Sequence, residues 1–233
     1  MESEADLAAM PTSPNPVPAV RAQRLLEAMH PVCSHDLPNQ AVALQSLLQL
    51  FAWDEADKLS PQGREYFERL QSIAAKTSAF VQFLKEMARL QRHTPLGEKL
   101  ALAQVVDEVR ADAARMYPEH AWTWKIGAVA ETLAGDRRLL QQGIVQLLRF
   151  AICSGIGPAP TVELKSARQP DHLSLSIAVR CAPEAMRAPS EAGLIEARLA
   201  LTLAQEYLAC VDIACRQVEG SAAGAMTFAL MIR

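Results

Sequence analysis

The run Cys33-Ser34-His35-Asp36-Leu37-Pro38-Asn39-Gln40-Ala41-Val42-Ala43-Leu44 opens the first long periodic stretch of the chain, and its reading decides the fold. Leu37, Ala41, Leu44, Leu48 and Phe51 alternate at steps of four and three, a heptad seam that predicts a helix from about Val20 to Trp53. His35 lies off that seam. It shares a polar stripe with Asn39, Ser46 and Gln49 at helical spacing, which predicts a solvent-facing imidazole. Pro38 lacks an amide donor, and in an α-helix its ring would clash with the carbonyl of Ser34, so a bend is expected beside His35.

Asp54 to Ser60 interrupts the pattern. Ser60 then supplies an N-cap oxygen and Pro61 a first-turn proline, opening a second helix that should run to about Arg92. On it Phe67, Leu70, Ala74, Thr77, Val81, Leu84 and Ala88 form one seam, while Tyr66, Ile73, Phe80 and Met87 form an adjacent stripe. A hairpin of two helices cannot cover so wide an apolar face by itself. Pairing of two hairpins into a homodimeric four-helix bundle is therefore predicted; the plainer alternative packs the second stripe on the C-terminal part of the same chain.

Outside the hairpin, residues 1–18 hold four prolines between Pro11 and Pro18 and no apolar period, which predicts a flexible tail. The hairpin then spans 19–94. After Thr94-Pro95-Leu96-Gly97 the pattern becomes mixed, giving a second domain over 98–233. Helices are predicted from Glu98 to Met116, Asp136 to Cys153 and Gly193 to Leu208, with strands at Trp122 to Ile126, Val129 to Leu133, Thr161 to Ala167 and His172 to Cys181, and two more at the end. The order αββαββαββ, with Leu173, Leu175, Ile177 and Val179 alternating against small or polar residues, predicts an α/β sandwich.

Composition narrows the function. With 233 residues, half of them hydrophobic, and a formal net charge of -3, the chain packs a core and carries no basic run, so nucleic acid is not an expected partner. The five cysteines are scattered, without a CxxC pair, and read as reduced thiols. No apolar run approaches the ~20 residues that span a bilayer, and the acidic start is wrong for a signal peptide, so a cytoplasmic, membrane-free protein is expected. Input would then come from another protein.

Cys33-Ser34-His35-Asp36-Leu37-Pro38-Asn39 resembles the H-box of bacterial sensor histidine kinases, and Lys58 to Tyr66 resembles the loop and second helix of the phytochrome-like members. Asp136 to Gln142, Leu147-Leu148 and Ala151-Ile152 are similar to the helix that carries the family's N-box, whose two asparagines fall at Gln146 and Phe150. Gly224-Ala225-Met226-Thr227-Phe228 matches the family's closing strand. The resemblance runs from about residue 25 onward and implies HisKA-type dimerisation helices followed by a Bergerat-like GHKL domain.

Several nucleotide-binding features are replaced. Phe150 offers no oxygen to Mg²⁺, and Arg180-Cys181-Ala182 stands where the family has the Asp that reads adenine. The connection from Ala182 to Ala192 is short for an ATP lid, and Arg198-Leu199-Ala200-Leu201 replaces the Gly-Leu-Gly-Leu signature. One departure touches the H-box: the family's proline position is Gln40 here, and Pro38 lies two residues earlier.

The resemblance implies a histidine phosphotransferase that exchanges phosphoryl between His35 and the Asp of response-regulator receiver domains without binding ATP. Asp36 would orient the imidazole, and Asp36 with Asn39 also matches the family's phosphatase pattern. No cofactor is expected on this chain, since Mg²⁺ would sit in the partner receiver. A hybrid histidine kinase is a further candidate partner. The competing expectation is a non-catalytic pseudokinase that sequesters a receiver or a kinase. His30, His93, His120 and His172 are read as surface or satisfied structural side chains.

Overall fold

The computed structural model describes residues 29–127, 132–218 and 224–232. It is a helical hairpin followed by an α/β domain. The first helix, α1 (Leu37–Glu55), continues from a wider turn over Val32–Asp36. After a single turn at Ala56–Lys58 comes α2 (Pro61–Leu90), which starts as the sequence dictates: Ser60 is extended, and its hydroxyl accepts from the Gly63 N–H at 3.0 Å. The expected start of α1 at Val20 and the tail over 1–18 lie outside the described residues.

Within the hairpin Ala41, Phe67, Ala74 and Val81 are buried, and the rings of Phe51 and Phe67 meet at 5.1 Å. Much of the remaining apolar surface is uncovered: Leu47, Leu50 and Trp53 on α1, and Tyr66, Leu70, Ile73 and Phe80 on α2, are each at least half exposed. The second stripe of α2 divides. Tyr66, Ile73 and Phe80 stay open, whereas Met87, with Phe83 and Leu90, packs on the α/β domain of the same chain.

That domain is built from β1 (Glu98–Ala101), α3 (Leu102–Met116), β2 (Thr123–Ile126), β3 (Thr132–Gly135), α4 (Arg137–Cys153), β4 (Thr161–Arg168), β5 (Leu173–Arg180), α5 (Glu191–Ala209), β6 (Ile213–Val218) and β7 (Ala225–Ile232). Five strands form one sheet in the order β2-β4-β5-β7-β6, with β2 parallel to β4 and the rest antiparallel. Val162, Leu175, Ile177, Val179, Phe228 and Leu230 on its inner face are wholly buried with Val105, Leu147 and Leu208 of the three helices.

The predicted helix over Glu98 to Met116 is corrected at its start. Glu98–Ala101 is a strand paired antiparallel with β3, Leu100 opposite Leu133, and the helix begins at Leu102. Pairing with a strand more than 30 residues away outweighs the local propensity of Glu, Lys, Leu and Ala for helix. The strand predicted at Val129 to Leu133 is found at Thr132–Gly135, and 128–131 lie outside the described residues.

Candidate functional site

His35 sits in the turn that precedes α1. The N–H of Leu37 donates to the carbonyl of Val32, five residues back, so this turn is one residue wider than an α-helical one. Cys33 and Pro38 are buried on the side facing α2, while His35, Asp36 and Asn39 are exposed. The bend expected at Pro38 therefore takes the form of a widened turn. Asn39 follows His35 by one helical turn on the outer surface. His35 and Asp36 are neighbours in sequence, and no hydrogen bond joins them among the described residues; adjacent helical side chains diverge.

Behind His35 the turn is tied to the end of α2. Ser34 Oγ lies 3.2 Å from His30 Nε2, and Arg92 Nη1 lies 3.3 Å from the same nitrogen. His30 is thus structural, as the sequence suggests. His93 is structural too, in a more specific way. Its Nε2 is 2.8 Å from Oδ2 of the buried Asp136, whose carboxylate also accepts from the Leu96 and Leu139 amides at 3.1 Å each. Burial pushes that carboxyl up, but the hydrogen bonds from His93, Leu96 and Leu139 outweigh it and hold it below the ordinary value. One carboxylate caps α4, fixes the linker and receives the last turn of the hairpin.

A second set of contacts joins the hairpin to α5. Tyr207 donates its hydroxyl to Glu86 Oε2 at 2.6 Å and accepts from Arg89 Nη2 at 2.8 Å. Burial, reinforced by the Glu86 carboxylate, raises the phenol to about 12. Leu90, Leu139, Leu203 and Tyr207 form a small buried cluster beside it, and Lys76 Nζ reaches Glu191 Oε2 at 2.6 Å. These partners lie more than 100 residues apart in sequence, so no spacing pattern announces them.

Between α4 and α5, the helices that carry the N-box-like stretch and Arg198-Leu199-Ala200-Leu201, this chain's own side chains pack together. Phe150 packs edge-on against Phe228 at 5.7 Å. Arg149 Nη2 pairs with Glu196 Oε2 at 3.2 Å, with Cys153 Sγ 3.8 Å from the same oxygen. Burial tends to lower the Arg149 guanidinium, but the Glu196 contact prevails and raises it; burial and Glu196 both push the Cys153 thiol up. Beside the Arg149–Glu196 pair a space of about 50 Å³ is lined by Gln82, Phe83 and Glu86 of α2 together with Gln146 and Leu203.

The short connection after β5 also folds down. Arg187 N–H donates to the Gly155 carbonyl at 2.9 Å, and a side chain on Gly155, at φ +100°, would overlap the Arg187 carbonyl. Among the described residues no cluster of His, Cys, Asp or Glu has the arrangement of a metal site. All five cysteines are free thiols. Among the described residues no helix is long and apolar enough to cross a membrane.

No protein-family model and no curated protein matches the sequence. Solved structures do match. The Acinetobacter baumannii histidine kinase AdeS superposes with a TM-score of 0.56 at 14% identity, over 85% of this chain and 97% of that one. Full-length ShkA in complex with AMPPNP superposes with a TM-score of 0.52 at 17% identity, over 90% of this chain and 45% of ShkA. The chain therefore has the fold of a histidine kinase's helical region and α/β catalytic domain.

Proposed function

We propose that the protein is a histidine phosphotransferase of two-component signalling, moving phosphoryl between His35 and the aspartate of response-regulator receiver domains without using ATP. The observation that carries this reading is the contrast between two places. His35 is exposed on the outer face of the hairpin with Asn39 one turn away, while the α4–α5 cleft holds Phe150, an Arg149–Glu196 pair and side chains of α2. These residues do not fit a Mg²⁺–nucleotide complex. Phe150 has no oxygen for a hard cation, and its ring packs on Phe228 while the Arg149 guanidinium is taken up by Glu196.

The chemistry at His35 needs little from the protein. A ring nitrogen of the neutral imidazole attacks the phosphorus of an aspartyl phosphate in line; the N–P bond forms as the P–O bond to the carboxyl breaks. The carboxylate leaves with the electron pair, and the other ring nitrogen releases its proton to solvent. Mg²⁺ belongs to the receiver's own acidic pocket. Asp36 and Asn39 flank the same surface and supply a secondary reading, in which the Asn39 amide orients water to hydrolyse the receiver's aspartyl phosphate.

Dimerisation through the hairpin belongs to the same proposal. Ile73, Phe80, Leu47 and Trp53 present apolar surface that a second hairpin would cover. Exchange with receivers, including those of a hybrid kinase, would take place in the cytoplasm. Incubation with a phosphorylated receiver tests the function: acid-labile, base-stable phosphate should appear on the wild type and not on His35→Ala. Receiver binding with no transfer, unchanged in His35→Ala, would favour a sequestering pseudokinase.

A further inference from the structure

The register of buried residues shifts at the turn that holds His35. Along α1 the side facing α2 runs through Pro38, Ala41, Gln45 and Leu48, in α-helical steps of three and four. Four residues back from Pro38 is Ser34, yet the deeply buried residue is Cys33, 5% exposed, and Ser34 is only half-buried. One residue has been inserted into the helical register, at the place where the Leu37 N–H reaches Val32 rather than Cys33.

Pro38 gives the physical reason. It has no N–H for the Ser34 carbonyl, and α-helical geometry would press its ring onto that oxygen. Widening the turn relieves the clash and rotates everything upstream. By the start of the turn the rotation approaches one residue's worth, ~100°, and His35 inside the turn takes part of it. Without it His35 would swing toward the direction Ser34 now occupies, half-buried toward α2.

We infer that Pro38 is a positioning residue: by enforcing the wide turn over Val32–Asp36 it swings His35 off the α2-facing side and presents the imidazole outward to an aspartyl phosphate. The inference rests on the phosphotransfer reading for its consequence, but not for its geometry. The two can be tested separately.

Full-length wild type, Pro38→Ala and the volume-conserving Pro38→Leu would be compared by three readouts, with circular dichroism showing that each is folded. These are alkylation of Cys33 followed by mass spectrometry of its peptide, the rate of phosphoryl uptake from a receiver charged with acetyl phosphate, and calorimetric affinity for that receiver. In at least one folded variant the turn should relax to an α-helix. Cys33 labelling should then rise at least about tenfold, and uptake should fall about ten- to a hundredfold with affinity changed less than about threefold. Unchanged Cys33 protection in folded variants would overturn the claim that Pro38 makes the turn. Faster labelling with undiminished uptake would overturn its role in presenting His35. If the wild type takes up no phosphoryl, the phosphotransfer reading fails and the positioning role with it, while Cys33 still reports on the turn. Failure of both substitutions to fold would show Pro38 to be a folding determinant and overturn the assignment.

Discussion

The outer face of the hairpin and the cleft between α4 and α5 are opposites. Around His35 the helix is irregular and polar side chains stand in solvent, and farther along the hairpin Leu47, Trp53 and Ile73 are uncovered. In the cleft, phenylalanine rings, an ion pair and the flank of α2 leave little room. The contrast teaches that one half of a histidine-kinase fold can be given over to cohesion while the other leaves polar and apolar side chains in solvent. In the α/β half, Arg149 and Glu196 bind each other, and Tyr207 binds Glu86 and Arg89 of the hairpin.

Substitutions can break this contrast by affecting stability on the closed side and association or transfer on the open side. The largest effect is expected at Tyr207, which is 1% exposed and holds Glu86 and Arg89. Tyr207→Ala should lower unfolding free energy by about 3–5 kcal/mol in urea titration. Ile73→Asp, on the open side, should instead raise the dimer dissociation constant by more than about 100-fold, or ~2.7 kcal/mol, in sedimentation experiments while leaving the protomer folded.

Asp136→Ala removes the cap of α4 and orphans His93 and Leu96, and should cost about 2–3 kcal/mol near neutral pH. Because the folded carboxyl lies below its ordinary value of ~3.9, this contribution is present above that value and fades as pH falls through the lower folded one. Wild type and Asp136→Ala should therefore converge only in strong acid. Lys76→Ala breaks an ion pair whose Glu191 partner is 81% exposed and should cost under about 1 kcal/mol. Smallest of all, His35→Ala should shift stability by no more than about 0.5 kcal/mol.

The hairpin was largely legible because its signals are local. Ser60 and Pro61 start α2 where they stand, and Phe67, Ala74 and Val81 of the predicted seam are buried, while Leu70 and Thr77 between them stay exposed. What the sequence hid depends on distant partners. Glu98–Ala101 becomes a strand through β3, and the second stripe of α2 is divided by α5, whose Tyr207 lies 118 residues beyond Arg89. The sequence marked a bend at Pro38 but not its direction, since a proline's clash can be relieved by kinking or by widening. At the candidate site, His35, Asp36 and Asn39 could be named from their motif, whereas the contacts that close the cleft could not.

The most direct test of the contrast offers the same protein two phosphoryl donors. Full-length wild type would be incubated separately with a radiolabelled phosphorylated receiver and with γ-labelled ATP and Mg²⁺, and the labelled residue located by mass spectrometry. The account predicts phosphohistidine at His35 from the receiver and none from ATP. Label from ATP, or none from receivers that charge other phosphotransferases, would contradict it.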